Sequence, residues 1–203
     1  MRLLFQLLLI SSLTLLNGCV SLRLADNAAN PKNVRIQSPS ARIKQLQRIT
    51  QWQISGALSL HLKNKTSLAN YRWQQYSRSR YRIHLSSSLN LYVLDIIGQS
   101  GAVTINDNKQ HTHTGQSPAA LVKQLIGYPL PVNDLYYWIR SLAAPGPKTT
   151  HYDPYGHLVD LQQQGWRLHF SRFISVKHVD LPQMIDITSP TLNMRIVIKH
   201  WNF

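Results

Sequence analysis

His111-Thr112-His113 sets two imidazoles at alternate positions, which on an extended strand puts both on one face and could hold a metal ion. Asp153 lies close along the chain to His151 and His157, the residue types of an acid–base dyad. Ser59 and Ser171 are hydroxyls with no nucleophile motif around them. Each has a stronger structural reading. The histidine pair sits in a polar, turn-like segment with no Cys or Glu to complete a ligand set, and Asp153-Pro154-Tyr155-Gly156 is a turn signal. All 8 acidic residues are Asp, which leaves no Glu for general acid or base work. One Cys excludes an internal disulfide and a Cys-rich zinc site. The expectation is a protein that is not an enzyme and needs neither cofactor nor metal.

The single Cys has a better use. Met1-Arg2 precedes a mostly apolar run from Leu3 to Leu16, then Asn17-Gly18-Cys19. A cation, a short apolar segment and a small residue are the layout of a secretory signal, and about fourteen residues are too few to span a bilayer comfortably. Leu16-Asn17-Gly18-Cys19 resembles the bacterial lipobox, in which Cys becomes the diacylated first residue of the mature protein. Leu16 and Gly18 fit that pattern and Asn17 departs from it. An ordinary signal peptide cut nearby, leaving a free thiol, is the alternative. With residues 1–18 as signal peptide, 203 − 18 = 185 residues remain, carrying (22 − 1) − 8 = +13. Two or more acyl chains hold a protein on a membrane where one binds marginally. Val20 follows Cys19, not the Asp that lipoproteins of this kind use for inner-membrane retention, which points to a lipid anchor in the outer membrane. Residues 19–40 read as the lipidated N-terminus and an Asn-, Ser- and Pro-containing tether, and 41–203 as one folded domain.

Hydrophobic residues at 43% and charged residues at 15% allow that domain a packed core. Ile43, Leu46 and Ile49 recur at helical spacing over 41–50. The period then changes to two. Trp52, Ile54, Gly56, Leu58, Leu60 and Leu62 share one strand face, as do Ser67, Ala69, Tyr71 and Trp73, and Tyr81, Ile83 and Leu85. Further strands are expected over 91–97, around Val103 and Ile105, and over 158–163, 166–170, 184–187 and 192–201. Ser117-Pro118 and Gly127 bound one helix, and Asn133 caps a second carrying Leu135, Trp138, Ile139 and Leu142. Nine or ten strands with two or three helices suggest a curved antiparallel sheet or part-barrel whose concave side the helices cover.

The ordered set Trp52…Gly56, Trp73-Gln74-Gln75, Tyr81-Arg82-Ile83, Gly127-Tyr128-Pro129-Leu130-Pro131, Leu135…Trp138-Ile139, Asp153…Gly156-His157-Leu158, Gln164-Gly165-Trp166 and Trp201 resembles the LolB family of outer-membrane lipoproteins. The resemblance runs from the lipobox to the C-terminus. It implies a mainly antiparallel, half-open β-barrel of about ten or eleven strands, with a helical lid over a hydrophobic cavity. It also implies a monomer, facing the periplasm, that accepts acylated lipoproteins from the carrier LolA and inserts them into the inner leaflet of the outer membrane. In the family a Pro-Leu-Gly turn presents a Leu to the membrane. Here that turn reads Ser88-Leu89-Asn90, so Leu89 is the candidate with both turn formers replaced. For acyl chains, the inward positions expected are Trp52, Ile54, Ile83, Leu91, Val93, Trp138, Ile139 and Trp166. Dispersed Lys and Arg on an exported, anchored protein argue against nucleic acid, and suit anionic lipid or an acidic carrier face. The alternative is an anchored lipoprotein that binds lipid or acts as a scaffold and transfers nothing.

Overall fold

The computed structural model describes residues 35–62, 65–87, 90–128 and 130–203; Cys19, Leu89, the signal segment and most of the tether lie outside them. A helix, α1 (Pro39–Gln47), begins within the segment read as tether. Ser38 caps it by accepting from the Ala41 N–H at 3.3 Å, and Pro39 takes the first turn, where its missing N–H costs nothing.

Eleven strands follow in one antiparallel sheet. These are β1 (Trp52–Leu62), β2 (Lys65–Ser77), β3 (Arg80–Ser86), β4 (Val93–Gln99), β5 (Ala102–Asp107) and β6 (Thr112–Gly115), then β7 (Thr149–Tyr152), β8 (Leu158–Gln163), β9 (Trp166–Val176), β10 (Val179–Thr188) and β11 (Leu192–Asn202). The spatial order is β6-β5-β4-β3-β2-β1-β11-β10-β9-β8-β7. The chain thus enters mid-sheet and steps outward to β6. It crosses through α2 (Pro118–Ile126) and α3 (Val132–Trp138) to the other edge, then steps inward until β11 pairs with β1. Since β6 and β7 do not pair with each other, the barrel stays half open. Both edges are short and polar, Thr-His-Thr-Gly and Thr-Thr-His-Tyr, which limits pairing with other chains.

The hairpins sort to two ends. Leu62 with Lys65, Ser86 with Val93 and Thr188 with Asn193 mark one end, called here the far end. Helix α1 covers the other. There the Arg42 guanidinium meets Asp180 at 3.0 Å and donates to the Arg35 and Tyr155 carbonyls, while Gln45 donates to the His178 carbonyl. His157 faces Asp153 at 2.8 Å and Asp180 at 3.2 Å through its two ring nitrogens, and its ring stacks on Phe173. Gly156 adopts φ +81°, and a Cβ there would lie 2.1 Å from the Gln37 carbonyl oxygen, so only Gly lets the chain before α1 pass.

Several elements depart from expectation: β6 forms where a polar, turn-like segment is expected, and β9 runs on to Val176 beyond Phe170. Helix α3 begins behind Pro131, not Asn133, and ends at Trp138, where Ser141 turns to φ +55° and Arg140 is drawn to the carbonyls at the end of α1. β7 has too little apolar alternation to read. β10 starts at Val179 instead of Met184, running through Pro182 where only β9 pairs with it, so the missing N–H breaks no ladder on the β11 side. β4 starts at Val93 and not at Leu91.

Two predictions follow from this packing. A Cβ at Gly56, beside the bulge against β11, would lie 1.9 Å from the Val197 carbonyl oxygen. Gly56→Ala should cost about 1–3 kcal/mol in denaturant unfolding, and an unchanged midpoint would mean the bulge yields freely. Burial works to raise the Asp180 carboxyl, but the His157 hydrogen bond and the Arg42 charge outweigh it and hold the group below the usual Asp range. A depressed folded pKa makes its stabilisation full above about pH 4 and lost as pH falls through the folded value. The stability gap between the wild type and Asp180→Asn should therefore shrink below about pH 4; a gap that widens in acid would contradict the assignment.

Candidate functional site

An internal cavity of about 160 Å³ lies between the sheet and the α2–α3 pair. The sheet side is formed by Leu58 and Leu60 of β1, Tyr71 and Trp73 of β2, Ile83 and Leu85 of β3, Leu94 and Ile96 of β4, Ile105 of β5, and Met194 and Ile196 of β11. Pro118, Val122 and Leu125 of α2, Leu130 of the connection, and Val132, Leu135 and Ile139 of α3 and its exit close it from above. Among the described residues no charged or amide side chain lines it. The Tyr71 hydroxyl donates to the Val197 carbonyl at 3.2 Å, the Trp73 indole N–H donates to Gln75 at 2.8 Å, and burial pushes the phenol far above its usual range, so the wall is neutral. A void with such walls stays dry.

The sequence builds each wall simply. Period-two apolar residues put one face of β1–β5 inward. α2 is a well-specified helix: Ser117 accepts from the Ala120 N–H at 3.3 Å, Pro118 opens it, and Gly127 at φ +78° ends it. Its apolar stripe leaves the hydrophobic face toward the sheet.

Of the eight inward positions expected, Ile83 and Ile139 line the cavity. Trp52 and Ile54 are buried at the α1 end, where Trp52 packs on Trp73 at 5.0 Å and Trp201 at 6.1 Å. Trp138 is fully buried but held elsewhere: its indole donates to Gln163 at 3.1 Å, and Trp166 packs beside it at 6.4 Å. Gln163 in turn bridges both backbone groups of Ala144. Leu91 and Val93 are corrected by a single register parity. Leu94 and Ile96 face Leu85 and Ile83 across β3, so Val93 stands outside the lining and Leu91, 75% exposed, lies at the far end before the strand. Asp95 was the available signal: a carboxylate in Val-Leu-Asp-Ile-Ile faces water, which turns its neighbours inward. Trp73, Leu58 and Leu60 were missed although they share faces with residues that were named.

Of the residues weighed for other chemistry, His111 faces Asp107 at 3.0 Å and both ring nitrogens of His157 face carboxylates, while Ser59 stands opposite Arg195 and Leu68 in the sheet. Among the described residues no group of His, Cys, Asp or Glu could hold a metal ion, and no helix is long and apolar enough to cross a membrane.

The family model described as outer membrane lipoprotein LolB matches residues 50–201, and with them the whole sheet, the cavity and the lid. This chain belongs to the LolB family. The outer-membrane lipoprotein LolB of Coxiella burnetii (strain RSA 493 / Nine Mile phase I) is 40% identical over 190 residues, covering 94% of this chain and 89% of that protein. The LolB of Cellvibrio japonicus (strain Ueda107) is 35% identical over 167 residues, covering 79% and 82%. Among solved structures, the chain is similar to a DUF1329 family protein from Desulfovibrio piger ATCC 29098, with a TM-score of 0.49 and 8% identity over 81% of this chain and 90% of that one. The protein is an outer-membrane lipoprotein of the LolB type, built as a half-open barrel under a helical lid.

The cavity is smaller than the roughly 300–1,000 Å³ of ordinary ligand pockets, and aliphatic and aromatic side chains line it throughout. Leu94→Trp should fill it while keeping the fold. Titration with a fluorescent fatty acid should show binding at least tenfold weaker than wild type, and equal binding would place the acyl site elsewhere.

Proposed function

We propose that this protein accepts acylated lipoproteins from a soluble periplasmic carrier of the LolA type and releases them into the inner leaflet of the outer membrane. The observation that carries the reading is the dry, uncharged cavity under a two-helix lid. Acyl chains in water are strongly unfavourable, so they pass only between apolar containers. A carrier that holds them less tightly than this cavity, and a bilayer that holds them more tightly, make a downhill relay that needs no cofactor and no covalent step.

The remaining parts take their places around that relay. Cys19, diacylated, keeps the protein on the membrane, with 1–18 removed and the tether up to 40 setting its reach. The domain acts as a monomer on the periplasmic side. Leu89 touches the leaflet where cargo leaves, and exposed Leu91 and Tyr92 beside it extend the apolar tip. One Leu entering lipid is worth about 1.5–3 kcal/mol, too little to anchor and enough to loosen lipid packing locally. On the outer face Arg72, Arg82 and His84 surround Asp95 alone, leaving an excess of positive charge for an acidic carrier face.

The test uses the full mature chain with Cys19→Ala, mixed with carrier loaded with a labelled acylated lipoprotein. Label moving to this protein supports the receptor reading; label staying on the carrier replaces it with an anchored scaffold. Leu89→Asp in the lipidated protein should leave uptake intact and slow insertion into liposomes several-fold. Unchanged insertion would remove Leu89 from the mechanism.

A further inference from the structure

The lid is held very differently at its corner and at its exit. At the exit, Arg140 is buried, and no carboxylate among the described residues pairs with it. Its guanidinium instead donates to Ile49 O at 2.5 Å, Leu46 O at 3.3 Å and Tyr136 O at 3.1 Å, and it lies 4.2 Å from the Tyr136 ring centroid. The Leu46 and Ile49 carbonyls lie at and just beyond the C-terminus of α1, where helix-end carbonyls favour a cation. Removing any of these acceptors would strand a buried charge, so the exit of α3 cannot leave α1 without a large penalty. Trp138 on Gln163, and Gln163 on Ala144, fasten the same segment to β8.

The corner between α2 and α3 packs Leu125, Tyr128 and Leu130 on the core, but among the described residues its side-chain hydrogen bonds to the sheet are those of Tyr128 alone. Tyr128, directly after Gly127, places its hydroxyl 3.3 Å from Ser189 Oγ and accepts from the Thr191 hydroxyl. Ser189 and Thr191 belong to the β10–β11 turn, at the far end of the sheet. The contact joins the two halves of the half-open barrel: the lid arrives from β6, and the turn belongs to the β7–β11 half. Neutral hydroxyl contacts at a wet rim are cheap to break because water replaces them. The same end carries the Ser86–Val93 connection that holds Leu89 and the exposed Leu91 and Tyr92.

We propose that the lid opens at its α2–α3 corner, with the Tyr128 hydroxyl on Ser189 and Thr191 as the latch and the buried Arg140 as the fixed pivot. The mouth so formed faces the end of the barrel that bears the apolar tip, so cargo leaves where the leaflet is touched. Tyr128 and Arg140 are positioning residues: neither needs to touch the acyl chain. The inference rests on the acyl-carrier reading, and it adds where the container opens and what holds it shut.

Association of a dansylated undecanoic acid with the Cys19→Ala mature chain tests it by stopped flow. Tyr128→Phe keeps the ring and removes the hydroxyl; the association rate should rise roughly fivefold while the thermal midpoint moves by a few degrees at most, since the apparent rate follows the open fraction. In the same background, Y128C with T191C bridged by a short bifunctional methanethiosulfonate should bind at least tenfold more slowly, and reduction should restore the rate. Y128C alone, treated identically, should bind as fast as untreated Y128C and at least as fast as Tyr128→Phe. Bridged protein that binds as fast as reduced protein, or an unchanged rate in Tyr128→Phe, would overturn the latch. A wild-type domain that binds no acyl probe would instead overturn the acyl-carrier reading on which the latch rests.

Discussion

An apolar hollow of about 160 Å³ between the sheet and two helices leaves its lining side chains without packing partners on one side, and everything else in this molecule has to hold it open. Side chains would collapse into such a space if their backbones let them. Here the sheet on one side and two short helices on the other are each fixed from outside the void.

Stability is therefore concentrated away from the cavity. At the α1 end, Trp52, Trp73 and Trp201 pack on one another, and the buried Arg42, Asp180 and His157 tie the helix to the β9–β10 hairpin and the β7–β8 loop. Under the β7–β10 half, Leu161, Phe170, Leu181, Ile185 and Ile187 are fully packed. One region is dense and the other is hollow, and the lid has its strong attachment to the first and its weak attachment across the second. A transfer protein needs both: a frame that does not move, and a wall that does. The neutral, dry lining serves the same end, because any charge placed there would draw water into the path of the acyl chain.

Much of this arrangement is visible in the amino-acid order. Alternation in 52–62, 67–73 and 81–85 assigns the inner face of three strands, and Ser117-Pro118 with Gly127 brackets α2 because capping chemistry is local. The four-residue Val93–Ile96 stretch is where alternation fails: apolar residues on both sides of the strand leave only Asp95 to decide, and a slip of one position turned the assignment inside out. Which of two buried groups lines a void and which fills the core is a long-range matter. Trp52 and Ile54 lie on the right face, yet α1 and Trp201 bring the core to them, and nothing near them in the chain says so. Arg140 was invisible for the same reason, since its partners are the backbone carbonyls of a helix about ninety residues earlier. The weak strand β7 is specified by pairing with β8 and not by its own composition.

The central claim is that acyl chains occupy this cavity, and photo-crosslinking tests it most directly. Carrier would be loaded with a lipoprotein bearing a mid-chain diazirine, mixed with the mature Cys19→Ala protein, irradiated, and the adducts mapped by mass spectrometry. The account predicts adducts on Trp73, Ile83, Leu94, Ile96, Leu125 and Leu135, on both the sheet and the lid. Adducts confined to the outer face, at Leu68 or at Leu91 and Tyr92, would contradict it and leave the cavity a structural void.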